Sequence, residues 1–470
     1  MTTLELATFG VYLVSAVTFI LALKFLASPR TARTGNLLGA AGMALVVGWT
    51  VFTEPGLLDN AWVLVVGGGT GAVIGVVGAR RVPMTAMPQM VAIFNGAGGG
   101  AAAVVAVSEF LSSTADAGAG ADLLPTIPMI ATLAGAVIGS VSLTGSFIAF
   151  GKLQGFIAAR PVTFPGSRVV AGLLLAALLA MAVALAFVTN DRTLFLVFVA
   201  LALVAGVLIV MPIGGADMPV VISLLNSYTG IAVAATGFVL GNYALLIAGT
   251  LVGASGAILT QLMCRAMNRS LLNVLFGAFG TGGGTMVAGA AGEQQVRTIN
   301  AEDAAVLMAY GKSVIIVPGY GMAVAQAQTP VRELMDLLLA RGVDVQFAIH
   351  PVAGRMPGHM NVLLAEANVP YERLKEMDEI NDDFAKADVA LVIGANDVTN
   401  PAARTDTTSP IYGMPILNVD HAQHVIVLKR SMAAGFAGID NPLYSDPKTT
   451  MLFGNAKNTV QALVSGVKAA

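Results

Sequence analysis

The run Val314–Gln328, VIIVPGYGMAVAQAQ, has the residue types and spacing to hold a dinucleotide. A β-branched stretch ends in Gly319-x-Gly321 and turns into a helical pattern. Glycines there let the backbone turn tightly and approach a pyrophosphate, and the helix start offers N–H groups to it. Gly319, Tyr320, Gly321, Met322, Ala323 and Val324 are the candidate contacts. Val324 stands at the third fingerprint position, so helix and strand are expected slightly farther apart than in the tightest fingerprints.

The next strand, Asp344–Ile349, ends in His350-Pro351. An NAD site would place an Asp or Glu there for the ribose 2′-hydroxyl; without it nothing repels a 2′-phosphate. Lys429, Arg430 and Ser431 follow the strand Val425–Leu428. Two bases and a hydroxyl at a strand's carboxyl end can clamp a phosphate, although a Lys-Arg pair on a solvated surface is the bland reading. Their place after a strand favours the clamp and hence NADP(H). Arg355 closes the turn Val352-Ala353-Gly354 and is a candidate for the pyrophosphate. Gly394, Asn396 and Asp397 follow another strand and belong at the same edge. Residues 432–454 read as one long loop carrying Gly435, Asp440 and Asn441, a length that suggests a lid.

The elements that position these residues alternate. Strands are expected at 314–317, 345–349, 389–393, 415–419 and 425–428. Helices are expected at 321–341, with a possible break at Pro330, and at 358–367, 378–386 and 455–468. Alternating βα order implies a Rossmann-like doubly wound parallel sheet.

The preceding part is membrane sequence. The chain is 56% hydrophobic and 11% charged, against about 25% charged in soluble domains. About nine apolar spans are expected, at 5–27, 35–53, 61–79, 85–107, 125–150, 168–188, 192–212, 217–239 and 243–264. The N-terminal end of the first carries Glu5 and no base, and its apolar stretch is too long for a cleaved signal. The fold class is thus an α-helical polytopic membrane bundle followed by an α/β domain: residues 1–270 transmembrane, 271–296 a glycine-rich connector, 297–470 nucleotide-binding. The connector's GAFGTGGGTMVAGAAG (277–292) reads as a flexible tether or a compact loop.

A net charge of −2 makes no case for nucleic acid. One cysteine, Cys264, excludes an internal disulfide, and all four histidines lie beyond residue 349, so no histidine metal site is expected in the membrane. Alternate loops carry Lys24, Arg30 and Arg33; Arg80 and Arg81; Lys152, Arg160 and Arg168; Arg265 and Arg269. The opposite loops are acidic, with only Arg192 as a base. The positive-inside rule puts the N-terminus outside and the nucleotide domain in the cytoplasm.

No ionisable group is expected near the middle of a span; amides and hydroxyls are, among them Asn95, Ser142, Asn226 and Thr229. Asp217, before Pro219, either caps a helix or acts as a titratable gate. Gly67, Gly71 and Gly75 form one bare face. Gly96 and Gly98–Gly100 beside Asn95 signal close packing or a deformable path.

The segments GYGMAVAQAQ, HPVAGRMPGHMNVLLAEANVPY, EMDEINDDF, GANDVTNPAA, KRSMAAGFAGIDNPL, GADMPVVISLLNSYTG and SGAILTQLMCRAMNRS resemble the beta subunit of proton-translocating NAD(P) transhydrogenase over nearly the whole chain. The resemblance implies a Si/Re-specific transhydrogenase in the bacterial inner (plasma) membrane. It implies NADP(H) on this chain, NAD(H) on an alpha component, and a dimer of alpha–beta units. It also implies that Asp397 and His350 lie near the nicotinamide half, and that Asp217 and Asn226 serve the proton route. Asn95 stands where one branch of the family has a histidine, and Phe436 where a tyrosine is expected; the titrating group is then expected from the partner's helices. Proton uptake would bias the nucleotide domain between open and occluded states. The rival readings are a channel or transporter gated by NADP(H), and a stand-alone membrane oxidoreductase. The first lacks a filter or midplane charge and the second lacks haem-ligating histidines.

Overall fold

The computed structural model describes residues 2–28, 31–53, 55–117, 125–158, 161–276, 296–356, 358–407, 409, 411–432 and 439–470. The expected tether at 277–292, Phe436 and the site candidate Gly435 lie outside them. The chain divides into two compact units. One comprises Met1–Pro83, Gln89–Ile213 and Val221–Thr260, and the other Met84–Pro88, Gly214–Val220 and Gln261–Ala470.

Among the described residues nine helices are long and apolar enough to cross a membrane. They are α1 (Thr3–Leu26), α2 (Ala32–Thr53), α3 (Ala61–Arg81), α4 (Met87–Ala117), α5 (Thr126–Gln154), α6 (Ser167–Phe187), α7 (Arg192–Val210), α8 (Met218–Val239) and α9 (Tyr243–Ala266). All nine expected spans are present. Buried Phe110 of α4 stacks on buried Phe195 of α7 at 3.9 Å between ring centroids. The glycines after Asn95 pack closely: a Cβ on Gly99 would lie 2.7 Å from that of Ser142, so α4 and α5 meet nearly backbone to backbone. The stripe Gly67, Gly71 and Gly75 on α3, by contrast, meets nothing within 4 Å.

Lys152 departs from its reading as a loop residue. It occupies the last turn of α5, is 3% exposed, and its ammonium donates to the carbonyls of Met211 (2.5 Å) and Ile213 (2.7 Å). These carbonyls lie at the C-terminal end of α7, the negative pole of that helix. An α5–α7 tie between residues 59 apart leaves no local trace in the sequence.

In the second unit a short α10 (Leu271–Phe276) precedes α11 (Ala301–Ala309), β1 (Ser313–Pro318), α12 (Tyr320–Val324), α13 (Gln328–Ala340), β2 (Asp344–Ile349), α14 (His359–Glu366), β3 (Leu374–Glu376), α15 (Met377–Ile380), β4 (Val389–Ile393), α16 (Ala402–Thr405), β5 (His424–Lys429), β6 (Thr449–Phe453) and α17 (Ala456–Ala469). The sheet is parallel throughout, in the order β3-β2-β1-β4-β5-β6. Strand order reverses between β1 and β4, the point where doubly wound sheets open a crevice at their carboxyl ends. One face is covered by a core that includes Met308, Leu334, Leu363 and Leu463, the other by one that includes Ile380, Phe384, Leu417 and Leu443. β1 and β4, buried on both faces, read accordingly as near-continuous apolar runs.

Three expectations are corrected, and one further strand was not expected. The helix expected over 321–341 breaks before Pro330, at Gln326, whose φ is +50°; Pro330 sits in the first turn of α13, where its missing N–H costs nothing. Residues 415–419 form no strand. Leu417 donates instead to the Val398 carbonyl (2.9 Å), because both edges of β4 are already taken by β1 and β5. The long loop expected over 432–454 ends in β6, an edge strand of five residues too short for a clear pattern. β3, of three residues, was likewise illegible.

Candidate nucleotide and coupling site

The crevice is built by two backbones. Gly319 donates its N–H to the Ile393 carbonyl and Gly321 to the Gly394 carbonyl, both at 2.9 Å. A Cβ on Gly319 would fall 2.4 Å from the Ala395 nitrogen, and Gly394 itself has a φ of +66°. The loops after β1 and β4 can interlock only without side chains there. The result is a cavity of about 570 Å³ whose walls include Gly319–Gly321, Val324, Val352–Arg355, Gly394–Val398 and Lys429–Ser431. Of the cofactor candidates, Gly319, Tyr320, Gly321, Val324, Val352, Ala353, Gly354, Arg355, Gly394, Asn396, Asp397, Lys429, Arg430 and Ser431 line one cavity. Met322 and Ala323 do not line it; they are fully buried in the core beneath. Val324 is 53% exposed and faces the cavity. The third fingerprint position therefore does not set a helix–sheet distance here, since α12 lasts only five residues.

Arg355 stacks on the Tyr320 ring, its guanidinium carbon 4.4 Å from the centroid, an arrangement that holds a planar cation at modest cost. The turn bearing Arg355 is fixed by buried His359, whose Nδ1 accepts the Arg355 N–H at 3.0 Å. Nε2 then carries the ring proton. Burial, reinforced by the Arg355 charge, pushes His359 down to about 4. No sequence signal beyond the motif itself marks His359 as this support.

His350 is 2% exposed and both ring nitrogens serve the backbone: Nδ1 accepts from Val352 (3.2 Å) and Nε2 donates to Pro415 (2.8 Å). Burial pushes it to about 4 against the opposing effect of the Pro415 carbonyl. It is neutral at pH 7 and braces the β2 turn. Asp397 is half-buried and accepts from the Asn396 amide at 3.0 Å. Buried Asn441 reaches across to the Asn396 backbone carbonyl (3.1 Å) and caps the turn Pro442–Ser445. Asp440 contributes its backbone carbonyl to Asn400 (3.0 Å) and is itself exposed. Asp440 and Asn441 thus strap the β6 approach onto the loop after β4.

Asp217 belongs to the same unit. Nη1 of Arg269 lies 2.9 Å from both its carboxylate oxygens. The sequence marked Arg269 only as a cytoplasmic base; the 52 residues between the partners hid the pair.

In the first unit Asn95 and its neighbours make a network of amides and hydroxyls. Asn95 Nδ2 donates to Ile222 O (3.2 Å), Thr229 Oγ1 donates to Asn95 O (3.0 Å), and Ser142 Oγ lies 2.6 Å from Thr229 Oγ1. Asn226 is half-buried on the same helix α8, one turn beyond Ile222. The hydroxyls of Ser140 and Ser146, both fully enclosed, have no hydrogen-bond partner among the described residues.

A dinucleotide fits the glycine cradle, where side chains are excluded, and the cationic corner Lys429-Arg430 suits an additional phosphate. A doubly wound dinucleotide-binding fold joined to a bundle of membrane-length helices defines a membrane-bound nucleotide-dependent protein. A sequence model of the family "NAD(P) transhydrogenase beta subunit" matches residues 9–466. The NAD(P) transhydrogenase subunit beta of Rhodospirillum rubrum is 51% identical over 464 residues, covering 98% of this chain and 99% of the relative. The same figures hold for a strain-level sequence of that species. The chain belongs to the NAD(P) transhydrogenase beta subunit family.

Proposed function

We propose that this chain is the NADP(H)-binding component of a proton-translocating transhydrogenase, with residues 1–270 conducting protons and residues 297–470 holding the cofactor. NADP(H), when bound, would take up or give the hydride, with NAD(H) on an alpha component as its exchange partner. The observation that carries the reading is the convergence of Lys429, Arg430 and Ser431 on the glycine cavity at the β1/β4 switch point. The chain's own residues then have separable tasks. Gly319 and Gly321 let the backbone approach the pyrophosphate. Arg355, held by Tyr320 and His359, adds charge. Lys429, Arg430 and Ser431 hold the 2′-phosphate. Asp397 and His350 lie toward the nicotinamide half, and Asp217, Asn226 and Asn95 serve the proton route, with the titrating group supplied by the partner's helices.

The loop charges support an outside N-terminus and a cytoplasmic nucleotide domain, and the family, with its Rhodospirillum rubrum relative, supports residence in a bacterial inner membrane. A dimer of alpha–beta units is the expected assembly. The test is calorimetric titration of the purified full chain with NADP⁺, NADPH, NAD⁺ and NADH. The 2′-phosphorylated pair should bind at least tenfold tighter, and Lys429→Ala/Arg430→Ala should erase that preference. Equal affinities would return the gated-transporter reading to first place.

A further inference from the structure

Lys429 is the half-buried member of the cationic corner, and its ammonium has an aromatic support. Its Nζ lies 4.7 Å from the centroid of the Tyr444 ring. Tyr444 is 3% exposed and comes from the turn Pro442–Ser445, on the far side of the segment that links β5 to β6. The ring is fixed from three directions. Its hydroxyl donates to Asn396 Oδ1, Asn441 secures the same turn to the Asn396 backbone, and neighbouring Leu443 is buried in the sheet's core. Asn396 in turn donates its amide to Asp397.

A lysine side chain has a flexible four-carbon stem and loses rotamer freedom when fixed. A ring face under the ammonium restricts that freedom before ligand arrives, and the cation–π attraction strengthens as water is excluded. Burial lowers Lys429, while the carboxylates of Asp397 and Asp440 act in the opposite sense.

We infer that Tyr444 is a positioning residue for cofactor choice: its ring presets the Lys429 ammonium where a ribose 2′-phosphate is held, and so contributes to preference for NADP(H) over NAD(H). This rests on the assignment of Lys429 to the 2′-phosphate. Tyr444 does not touch the cofactor in this account; it acts through Lys429.

The experiment measures NADP⁺ and NAD⁺ affinities of the full chain for Tyr444→Phe, for pentafluorophenylalanine at position 444, for Lys429→Ala and for the two 444 substitutions combined with Lys429→Ala. Phenylalanine keeps the ring and its negative face, so NADP⁺ affinity should stay within about twofold. The fluorinated ring keeps the shape and reverses the quadrupole; NADP⁺ affinity should fall about three- to tenfold with NAD⁺ unchanged. In the Lys429→Ala background the two rings should be indistinguishable. Equal NADP⁺ affinity for both rings, equal losses for both nucleotides, or a ring effect that persists without Lys429 would each overturn the inference. Unchanged NADP⁺ affinity in Lys429→Ala itself would instead defeat the 2′-phosphate assignment, and the inference with it.

Discussion

Gly321 donates its N–H to the Gly394 carbonyl at 2.9 Å, and a Cβ built on Gly394 would lie 2.4 Å from the Gly321 Cα. The two loops that open the crevice are therefore one backbone joint. Gly394→Ala meets this clash and also a left-handed φ of +66°, which costs about 1–2 kcal/mol before any overlap is counted. The expected outcome is a lowered unfolding temperature and loss of detectable nucleotide binding. Gly342→Ala provides the comparison: its φ is +85° but nothing lies within 4 Å, so it should cost stability alone. Thermal unfolding and calorimetry on both variants check the distinction.

His350 and His359 make the nucleotide-binding half acid-sensitive. Both are pushed to about 4 in the fold, chiefly by burial, against an unfolded value of about 6.5. Between those values the unfolded chain binds more protons than the folded one, so stability falls as pH drops from 6.5 towards 4. Each histidine contributes about 1.4 kcal/mol per pH unit inside that window. Hydrogen exchange of the β1 and β4 amides at pH 7, 6 and 5 should show this slope. His359→Gln should reduce it by about one proton, while a slope unchanged by the substitution would contradict the burial argument.

Asp217 and Arg269 predict a measurable coupling. Arg269 Nη1 is shared between both Asp217 oxygens at 2.9 Å, with side chains 12% and 32% exposed, intermediate between solvated pairs and fully enclosed ones. A double-mutant cycle with Asp217→Asn and Arg269→Gln should give about 1–3 kcal/mol. Either single substitution leaves the other group without its counter-charge, so each should lower the unfolding temperature more than the double. If Asp217 also serves the proton route, Asp217→Asn should abolish proton movement in reconstituted alpha–beta vesicles, whereas Arg269→Gln should reduce it.

What the sequence disclosed depends on how local the cause is. The nine spans were legible because each helix carries its own hydrophobic run. β1 and β4 were legible because parallel strands buried on both faces are continuously apolar, and the convergence of Gly319, Gly394 and Lys429 because each stands at the carboxyl end of a strand that neighbours the next in the sheet. β3 and β6 were hidden by their shortness at the sheet's edges. Lys152 on the α7 carbonyls, Arg269 on Asp217 and Tyr444 under Lys429 are long-range or loop-borne pairs. Their residue types are ordinary, and only the fold brings them together.

The Asn95 network yields a prediction about the membrane half. Thr229 donates to the Asn95 carbonyl, so the one proton of Ser142 is shared between Thr229 Oγ1 at 2.6 Å and Leu225 O at 3.2 Å. The network has no ionisable member, so in the proposed proton route its hydroxyls would reorient and pass a proton on without storing it. Ser142→Ala removes one link; interhelical hydrogen bonds in membranes average about 0.6 kcal/mol, so stability should fall by about that much. Proton translocation by alpha–beta vesicles, measured with a pH-sensitive dye, should fall severalfold, while NADP⁺ affinity of the same preparation stays unchanged. Asn95→Leu should be more damaging, because it removes the side-chain donor that ties α4 to the Ile222 carbonyl of α8. Full proton movement in both variants would take this network out of the route and direct attention to the enclosed hydroxyls of Ser140 and Ser146.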